Sequence, residues 1–141
     1  MVDHGGKQHT VSIVDDEDMV LTLGRVILKR HGYRVLVSAN GPHAIKICRD
    51  IHPPPDCVIV DFTMPGMNGR ETLHEIRKVI SGIPAILSSG YSGEELSEVM
   101  SGIELSGMIQ KPYRQEMLVA VLERALAPQR NNADQSGQII R

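Results

Sequence analysis

Five short apolar runs alternate along the chain with longer amphipathic segments, and this alternation constrains the fold more than any other feature. The runs are TVSIV (10–14), YRVLVS (33–38), DCVIV (56–60), PAILSS (84–89) and GMIQ (107–110). Parallel strands that are buried on both faces have near-continuous apolar sequence, and the connection between two of them is usually a helix. The pattern therefore predicts a doubly wound α/β domain, with a five-stranded parallel sheet and five helices on its two faces.

The segments between the runs carry apolar residues at helical spacing. In the first segment Val20, Leu23 and Ile27 recur at i, i+3 and i+7, and we expect this side of the helix to face the sheet. The fourth segment has the weakest pattern, with only Leu96, Val99 and Met100. Its boundaries are therefore poorly defined by the sequence.

The length of 141 residues fits one domain. We expect a flexible N-terminal segment (1–9), the folded domain (10–126) and a disordered tail (127–141), because the periodicity is lost after Pro128 and the residues become polar.

The formal net charge of −2 and the lack of an apolar run of about 20 residues argue against broad nucleic-acid or membrane surfaces. Cys48 and Cys57 lie in apolar patterns without metal-ligand spacing, so we expect buried thiols in a reducing compartment. We therefore expect a cytoplasmic protein that contacts neither nucleic acid nor membrane.

Polar side chains follow the predicted strands where those strands end. Asp15 and Asp16 follow the first strand, Asp61 the third, Ser89 the fourth and Lys111 the fifth. Doubly wound sheets bind ligands outside the carboxyl ends of their strands. We therefore expect three carboxylates, a hydroxyl and an ammonium to meet at one rim of the sheet.

The chemistry of such a rim is restricted. Three crowded carboxylates repel one another, and Mg²⁺ prefers oxygen ligands, whereas Zn²⁺ and copper favour the His or Cys ligands that these strand ends lack. Mg²⁺ beside a carboxylate and a lysine suits phosphoryl transfer, and aspartyl phosphates are established covalent intermediates. We predict Mg²⁺ as the cofactor and Asp61 as the phosphoryl acceptor.

With these motifs, the sequence resembles the receiver domains of two-component response regulators over about residues 10–126. The shared marks are VDDE after the first strand, DFTMPGMNG from the third, Ser-Gly after the fourth and Lys-Pro after the fifth. The resemblance implies a flavodoxin-like fold with strand order 2-1-3-4-5 and often a cis peptide bond before Pro112. DFTMPGMNG and ILSSGYS are also similar to stretches of receivers attached to hybrid histidine kinases.

The resemblance also implies roles for the acidic residues. Asp61 takes a phosphoryl group from a histidine kinase or a histidine phosphotransfer protein. Asp16 and Asp61 ligate Mg²⁺ together with the backbone carbonyl of Thr63, and Asp15 holds waters of the metal.

Further roles follow from the same resemblance. Ser89 hydrogen-bonds the phosphoryl group, and Lys111 pairs with one of its oxygens. The positions that flank the hydrolytic water hold Thr63 and Tyr91, neither of which is a good base, so we expect slow to moderate self-dephosphorylation. Met108 stands where many receivers have an aromatic ring that swings inward. Because methionine is flexible, we expect the conformational switch to be less sharply two-state than with a ring.

The expected output surface consists of the predicted fourth helix, fifth strand and fifth helix. We expect it to bind a downstream protein or a second copy of the chain, because the sequence shows no helix-turn-helix after the fifth helix. We expect no enzymatic activity beyond self-phosphorylation and self-dephosphorylation.

Other functions use similar sheets. A phosphatase of the haloacid dehalogenase type resembles DxDx(T/V), but the second acid of that motif is Thr63 here. A flavodoxin-like electron carrier would bind phosphate where this chain has DDED, which repels phosphate unless a metal is bound. The phosphatase, and a degenerate receiver that acts only as a docking module, are the alternatives to a phosphorylated receiver.

Overall fold

The computed structural model describes residues 8–90 and 101–128, and the five predicted strands form one sheet within them. The strands are β1 (Thr10–Val14), β2 (Arg34–Ser38), β3 (Cys57–Asp61), β4 (Ala85–Ser89) and β5 (Gly107–Gln110). All neighbouring strands are parallel, in the order β2-β1-β3-β4-β5. This confirms the predicted flavodoxin-like order, and each strand begins and ends within one residue of its predicted bounds.

The described helices lie on both faces of the sheet. They are α1 (Asp18–Arg30), α2 (Gly41–Asp50), α3 (Gly69–Val79) and α4 (Gln115–Ala125). The predicted fourth helix lies outside the described residues, so α4 corresponds to the predicted fifth helix. The expectations for 1–7 and 129–141 also lie outside them. No helix in the described part of the chain is long and apolar enough to span a membrane.

The sheet separates two apolar cores. Ile59 and Val60 are neighbours on β3 and point to opposite faces, and both are fully buried. Ile59 packs in a cluster with Leu28 of α1 and Leu122 of α4. Val60 packs in a cluster with Ile76 of α3. Burial on both faces explains the apolar runs of β1, β3 and β4, whereas the edge strands β2 and β5 are partly exposed.

The side of α1 that faces the sheet agrees with the expected one at Ile27 and Val20, which pack on the core, but differs at Leu23. Leu21, Gly24, Ile27 and Leu28 are buried, whereas Leu23 is 41% exposed. At Gly24 a Cβ would lie 2.9 Å from a β1 side chain, so the helix approaches the sheet closely at this point. A pattern based on large apolar residues does not count a glycine and therefore misses this point of closest approach.

Alanine substitutions on α1 should separate these two sides. Ile27→Ala removes a side chain that is 5% exposed, and we expect it to lower the free energy of unfolding by about 2–5 kcal/mol. Leu23→Ala is the matched control on the outer side and should cost less than about 1 kcal/mol. Urea denaturation measures both values. Equal losses in the two variants would contradict the assignment of the buried side.

Candidate functional site

Three acidic side chains meet at the carboxyl ends of β1 and β3. One carboxylate oxygen from each of Asp15, Asp16 and Asp61 lies within 4.8 Å of the other two. Asp15 is 0% exposed and Asp61 is 2% exposed, whereas Asp16 is exposed to solvent. The structure therefore places the three predicted acids together, two of them inside the protein and one at its surface.

Lys111 reaches this group from the end of β5. Its backbone N–H donates to the carbonyl of Ser89 (2.8 Å), which fixes the residue beside β4. Its ammonium lies 3.2 Å from Asp15 Oδ2 and 3.4 Å from Asp61 Oδ1. The peptide bond between Lys111 and Pro112 is cis, as the resemblance implied. The predicted acids and lysine thus form one ionic cluster.

Glu17 also belongs to this cluster, although sequence reasoning gave it no role. Its Oε1 lies 2.8 Å from Lys111 Nζ, which is a shorter distance than those from the ammonium to Asp15 and Asp61. The only signal in the sequence is that Glu17 stands within DDED. Four consecutive acids do not reveal which of them will face a lysine 94 positions later.

Both carboxylate oxygens of Asp15 are occupied by protein groups. Oδ1 accepts a hydrogen bond from the Glu17 backbone N–H (2.9 Å), and Oδ2 accepts one from Lys111 (3.2 Å). The Asp15 backbone N–H donates to Ser38 (3.0 Å), which ties the residue to the end of β2. Asp15 is thus fixed by the protein, which is compatible with the predicted indirect role of this residue at the metal.

Burial raises the pKa of both inner carboxyl groups. For Asp61, burial and the nearby charge of Asp15 raise the pKa to about 6, against the opposing effect of Lys111. The pKa of Asp15 is also raised by burial. Burial lowers the pKa of Lys111, but its hydrogen bond with Glu17 and the charges of the two aspartates raise it more. The lysine therefore stays charged, while the aspartates carry an incompletely balanced negative charge.

An open cleft of about 530 Å³ gives access to Asp61 from solvent. Its lining consists of Asp16, Glu17, Asp61, Thr63, Gly90 and Lys111. The Thr63 backbone hydrogen-bonds the Asp61 carboxylate and lowers its pKa in part. Asp61 is thus buried in the protein but reachable by a small group that enters the cleft.

Three further residues, Ser89, Met108 and Tyr91, are predicted to act at the site or in the switch. Ser89 ends β4, is 1% exposed and follows Ser88, which pairs with Asp61 in the sheet. Met108 lies on β5 with 39% of its surface exposed. Tyr91 lies outside the described residues. The roles predicted for all of these residues stay predictions.

The loop between β3 and α3 is closed tightly around Asp61. The Gly69 N–H donates to the carbonyl of Phe62 (2.9 Å), and a Cβ on Gly69 would lie 2.8 Å from Phe62 Cα. Gly66 has a φ of +77°, which favours glycine. Asn68 and Glu71 form a reciprocal capping box that begins α3. The glycines that follow Asp61 therefore allow the chain to turn closely past the carboxylate.

The donor set of the acidic group fits Mg²⁺. Its three members supply only carboxylate oxygens, which are hard ligands suited to this ion. Burial and the nearby charge of Asp15 raise the pKa of Asp61 although Lys111 lowers it, and a bound cation would favour the ionised form of this carboxyl. Asp15, Asp16 and Asp61 could therefore hold Mg²⁺, with Thr63 on the wall of the same cleft.

The strand order and the acidic rim define a receiver-type α/β domain, and comparison with known proteins agrees. Residues 11–123 match the response regulator receiver domain family. The chain therefore belongs to the response regulator receiver domain family. This assignment sets aside the phosphatase alternative, because the match covers most of the chain.

Two relatives show the range of proteins that contain similar domains. The chain is 32% identical over 120 residues to "Sensor kinase CckA" of Brucella abortus (strain 2308), covering 85% of this chain and 13% of that protein. It is 26% identical over 132 residues to "DNA-binding response regulator MtrA" of Mycolicibacterium smegmatis, covering 92% of this chain and 54% of that protein. The chain thus spans a small part of the first relative and about half of the second.

Solved structures confirm the fold. The chemotaxis protein CheY4 of Vibrio cholerae matches with a TM-score of 0.78 and 24% identity, covering 84% of this chain and 99% of that chain. A CheY-like receiver domain protein of Methanospirillum hungatei JF-1 matches with a TM-score of 0.79 and 24% identity, covering 89% and 99%.

Replacing Asp61 with Asn should stabilise the fold near neutral pH in the absence of Mg²⁺. The folded pKa of Asp61 is raised to about 6, while an Asp in an unfolded chain titrates near ~3.9. Ionisation of Asp61 therefore favours unfolding, and stability is lost as the pH rises from about 4 to about 6. We expect Asp61→Asn to raise the free energy of unfolding by about 1–3 kcal/mol at about pH 7.

The same substitution should change stability by less than about 0.5 kcal/mol at about pH 4, where the buried carboxyl is protonated. Asp18→Asn, at an exposed position of α1, is the control for the loss of a carboxylate that is not buried. Urea denaturation at the two pH values measures these effects. A variant Asp61→Asn that is less stable than the wild type at about pH 7 would show that the charge of Asp61 is fully balanced.

Proposed function

We propose that this receiver takes a phosphoryl group from a phosphohistidine onto Asp61 in a step that needs Mg²⁺. The observation that carries the proposal is the position of Asp61, which is 2% exposed and yet lines an open cleft. Two further carboxylates lie within reach of one shared cation, and the Lys111 ammonium lies 3.4 Å away. This set supports phosphoryl transfer better than docking alone, because a docking module would not need a buried carboxylate whose charge is only partly balanced.

In the proposed transfer Asp61, Lys111 and Ser89 each have a separate task. An Asp61 oxygen forms a bond to phosphorus while the bond between phosphorus and the histidine nitrogen breaks, and the electron pair of that bond stays with the imidazole. Bound Mg²⁺ supplies neutralisation of charge on the phosphoryl oxygens. The Lys111 ammonium pairs with one of these oxygens, and Ser89 donates a hydrogen bond to another. Because the pKa of Asp61 is about 6, its nucleophilic, ionised form predominates near neutral pH.

The exposed side of α1 offers a binding surface for the phosphodonor protein beside the cleft. Met19, Leu23 and Val26 on α1 are 84%, 41% and 43% exposed, and their spacing places them on one side of the helix. This stripe begins two residues after Glu17, which lines the cleft. Adjacent exposed apolar side chains are typical of interaction surfaces. We propose that a helix of a histidine kinase or a histidine phosphotransfer protein binds this stripe and presents its phosphohistidine to Asp61.

The output is proposed to be binding of a downstream protein or a second copy of the chain. The proposed surface consists of the predicted fourth helix, which lies outside the described residues, together with β5 and α4, which is the predicted fifth helix. Of this surface the structure describes β5 and α4, where Met108 and Met117 are 39% and 56% exposed. A methionine adapts its shape to more than one packing arrangement, so the Met108 side chain can follow Ser89 when a phosphoryl group is present. We propose no catalysis beyond gain and loss of the phosphoryl group.

Incubation with acetyl phosphate and Mg²⁺ should add one phosphoryl group to the wild-type chain. The group should be on Asp61, because this carboxylate alone combines burial, access to the cleft and the Lys111 contact among the residues described. Intact-protein mass spectrometry measures the gain. Asp61→Asn should gain none, and Asp18→Asn should be labelled like the wild type. Equal labelling of Asp61→Asn would refute the assignment.

Beryllofluoride with Mg²⁺ mimics the phosphoryl group and should change the output surface as well as the cleft. We expect amide shifts in β5 and α4, with modest populations of the shifted state, because allosteric coupling is typically about 1–3 kcal/mol and Met108 is a soft switch. Nitrogen–proton correlation spectra of the wild type measure the shifts, and Asp61→Asn is the control without a site. Shifts confined to the loop after Asp61 would speak against a signalling role for this surface.

A further inference from the structure

The closest partner of Lys111 is not the proposed acceptor but Glu17. The ammonium donates hydrogen bonds to Glu17 Oε1 (2.8 Å) and Asp15 Oδ2 (3.2 Å), while Asp61 Oδ1 lies at 3.4 Å. The Lys111 side chain is 15% exposed and the Glu17 side chain 60% exposed. The lysine is therefore held toward the mouth of the cleft, between the inner acids and an outer one.

Unlike the other acids of the cluster, Glu17 lies outside the described group of carboxylates that could share a cation. The group that could share a cation consists of Asp15, Asp16 and Asp61, and it does not include Glu17 among the residues described. Occupation of that group by a cation would therefore leave Glu17 as a partner for the ammonium. Glu17 can keep Lys111 at the cleft whether or not Mg²⁺ is present.

The backbone of Glu17 is held at the start of α1 by hydrogen bonds, and its side chain is not used to cap that helix. Its N–H donates to Asp15 Oδ1 (2.9 Å), and its carbonyl accepts the first hydrogen bonds of α1, from Val20 (3.1 Å) and Leu21 (3.2 Å). Glu17 is the N-cap of α1, where a side chain commonly caps the helix, but in the described structure its side chain makes no such bond. Its carboxylate instead binds Lys111.

We propose that Glu17 competes with the incoming phosphoryl group for Lys111 and thereby limits the rate at which the receiver is phosphorylated. This inference rests on the proposed phosphoacceptor function. With acetyl phosphate, an Asp61 oxygen bonds to phosphorus as the bond from phosphorus to the acetate oxygen breaks, and acetate leaves with the electron pair. The Lys111 ammonium then leaves Glu17 and donates to a phosphoryl oxygen. Glu17 is a positioning residue, because it acts through the lysine.

The expected size of the effect follows from the exposure of the pair. An ion pair with one solvated partner is worth little, so its loss should change the rate by about two- to fivefold. The Glu17 charge also repels an anionic donor, which would change the rate in the same direction. A control must therefore remove a neighbouring charge without touching Lys111.

Asp18 provides that control. It is exposed, lies next to Glu17 in the first turn of α1, and within residues 8–90 and 101–128 the ion pairs of Lys111 are with Asp15, Glu17 and Asp61. The rate of phosphoryl gain is measured with acetyl phosphate at saturating Mg²⁺ for the wild type, Glu17→Gln and Asp18→Asn. We expect Glu17→Gln to react about two- to fivefold faster. Asp18→Asn should keep the wild-type rate.

A spectroscopic measurement follows the lysine directly. In protein labelled with ¹⁵N-lysine, the Lys111 Nζ signal should differ between the wild type and Glu17→Gln in the resting state. In the state bound to beryllofluoride and Mg²⁺ the two signals should coincide, because the ammonium has left Glu17. A purely structural effect of the substitution would not produce this convergence.

The outcomes separate this inference from the function on which it rests. A wild-type chain that gains no phosphoryl group on Asp61 overturns both. Normal labelling of the wild type overturns the competition alone if Glu17→Gln reacts at or below the wild-type rate, or if Asp18→Asn accelerates equally. Persistence of the Lys111 difference in the beryllofluoride state has the same meaning, because Glu17 would then still hold the lysine.

Discussion

The structure of the site depends on two carboxylates that are buried side by side at the ends of the central strands. Asp15 and Asp61 are 0% and 2% exposed, and Lys111 lies within 3.4 Å of both. Burial makes each charge costly, and one ammonium does not balance two anions. The raised pKa of Asp61, about 6, is the consequence. Under the proposed function, Mg²⁺ held by the three acids would relieve this imbalance.

The fold creates this pair through the order of its strands. β1 and β3 are neighbours in the middle of the sheet, and both are buried on their two faces, so their ionisable acidic side chains occur where these strands end. Asp15 lies one residue beyond β1, and Asp61 is the last residue of β3. Lys111 arrives from the edge strand β5 and is fixed by a backbone hydrogen bond to Ser89. The sheet that buries Asp15 and Asp61 therefore also places the Lys111 ammonium beside them.

Much of this arrangement is predictable from sequence, because strands with two buried faces read as continuous apolar runs and their polar ends share one rim. The point where α1 comes closest to the sheet is not predictable from large apolar residues, since Gly24 makes that contact while Leu23 is 41% exposed. The partner of Lys111 is not predictable either. Asp15 and Glu17 are close neighbours in one acidic run, and only the start of α1 decides which carboxylates reach the lysine.

The most direct test of this account is the titration of Asp61, followed by the ¹³C shift of its carboxyl group with and without Mg²⁺. The account predicts a pKa of about 6 in the absence of the ion, and a marked decrease when Mg²⁺ is added, because a cation bound by the three acids favours the ionised form. An Asp61 carboxyl that titrates near ~3.9 without Mg²⁺, or one whose pKa does not respond to Mg²⁺, would contradict it.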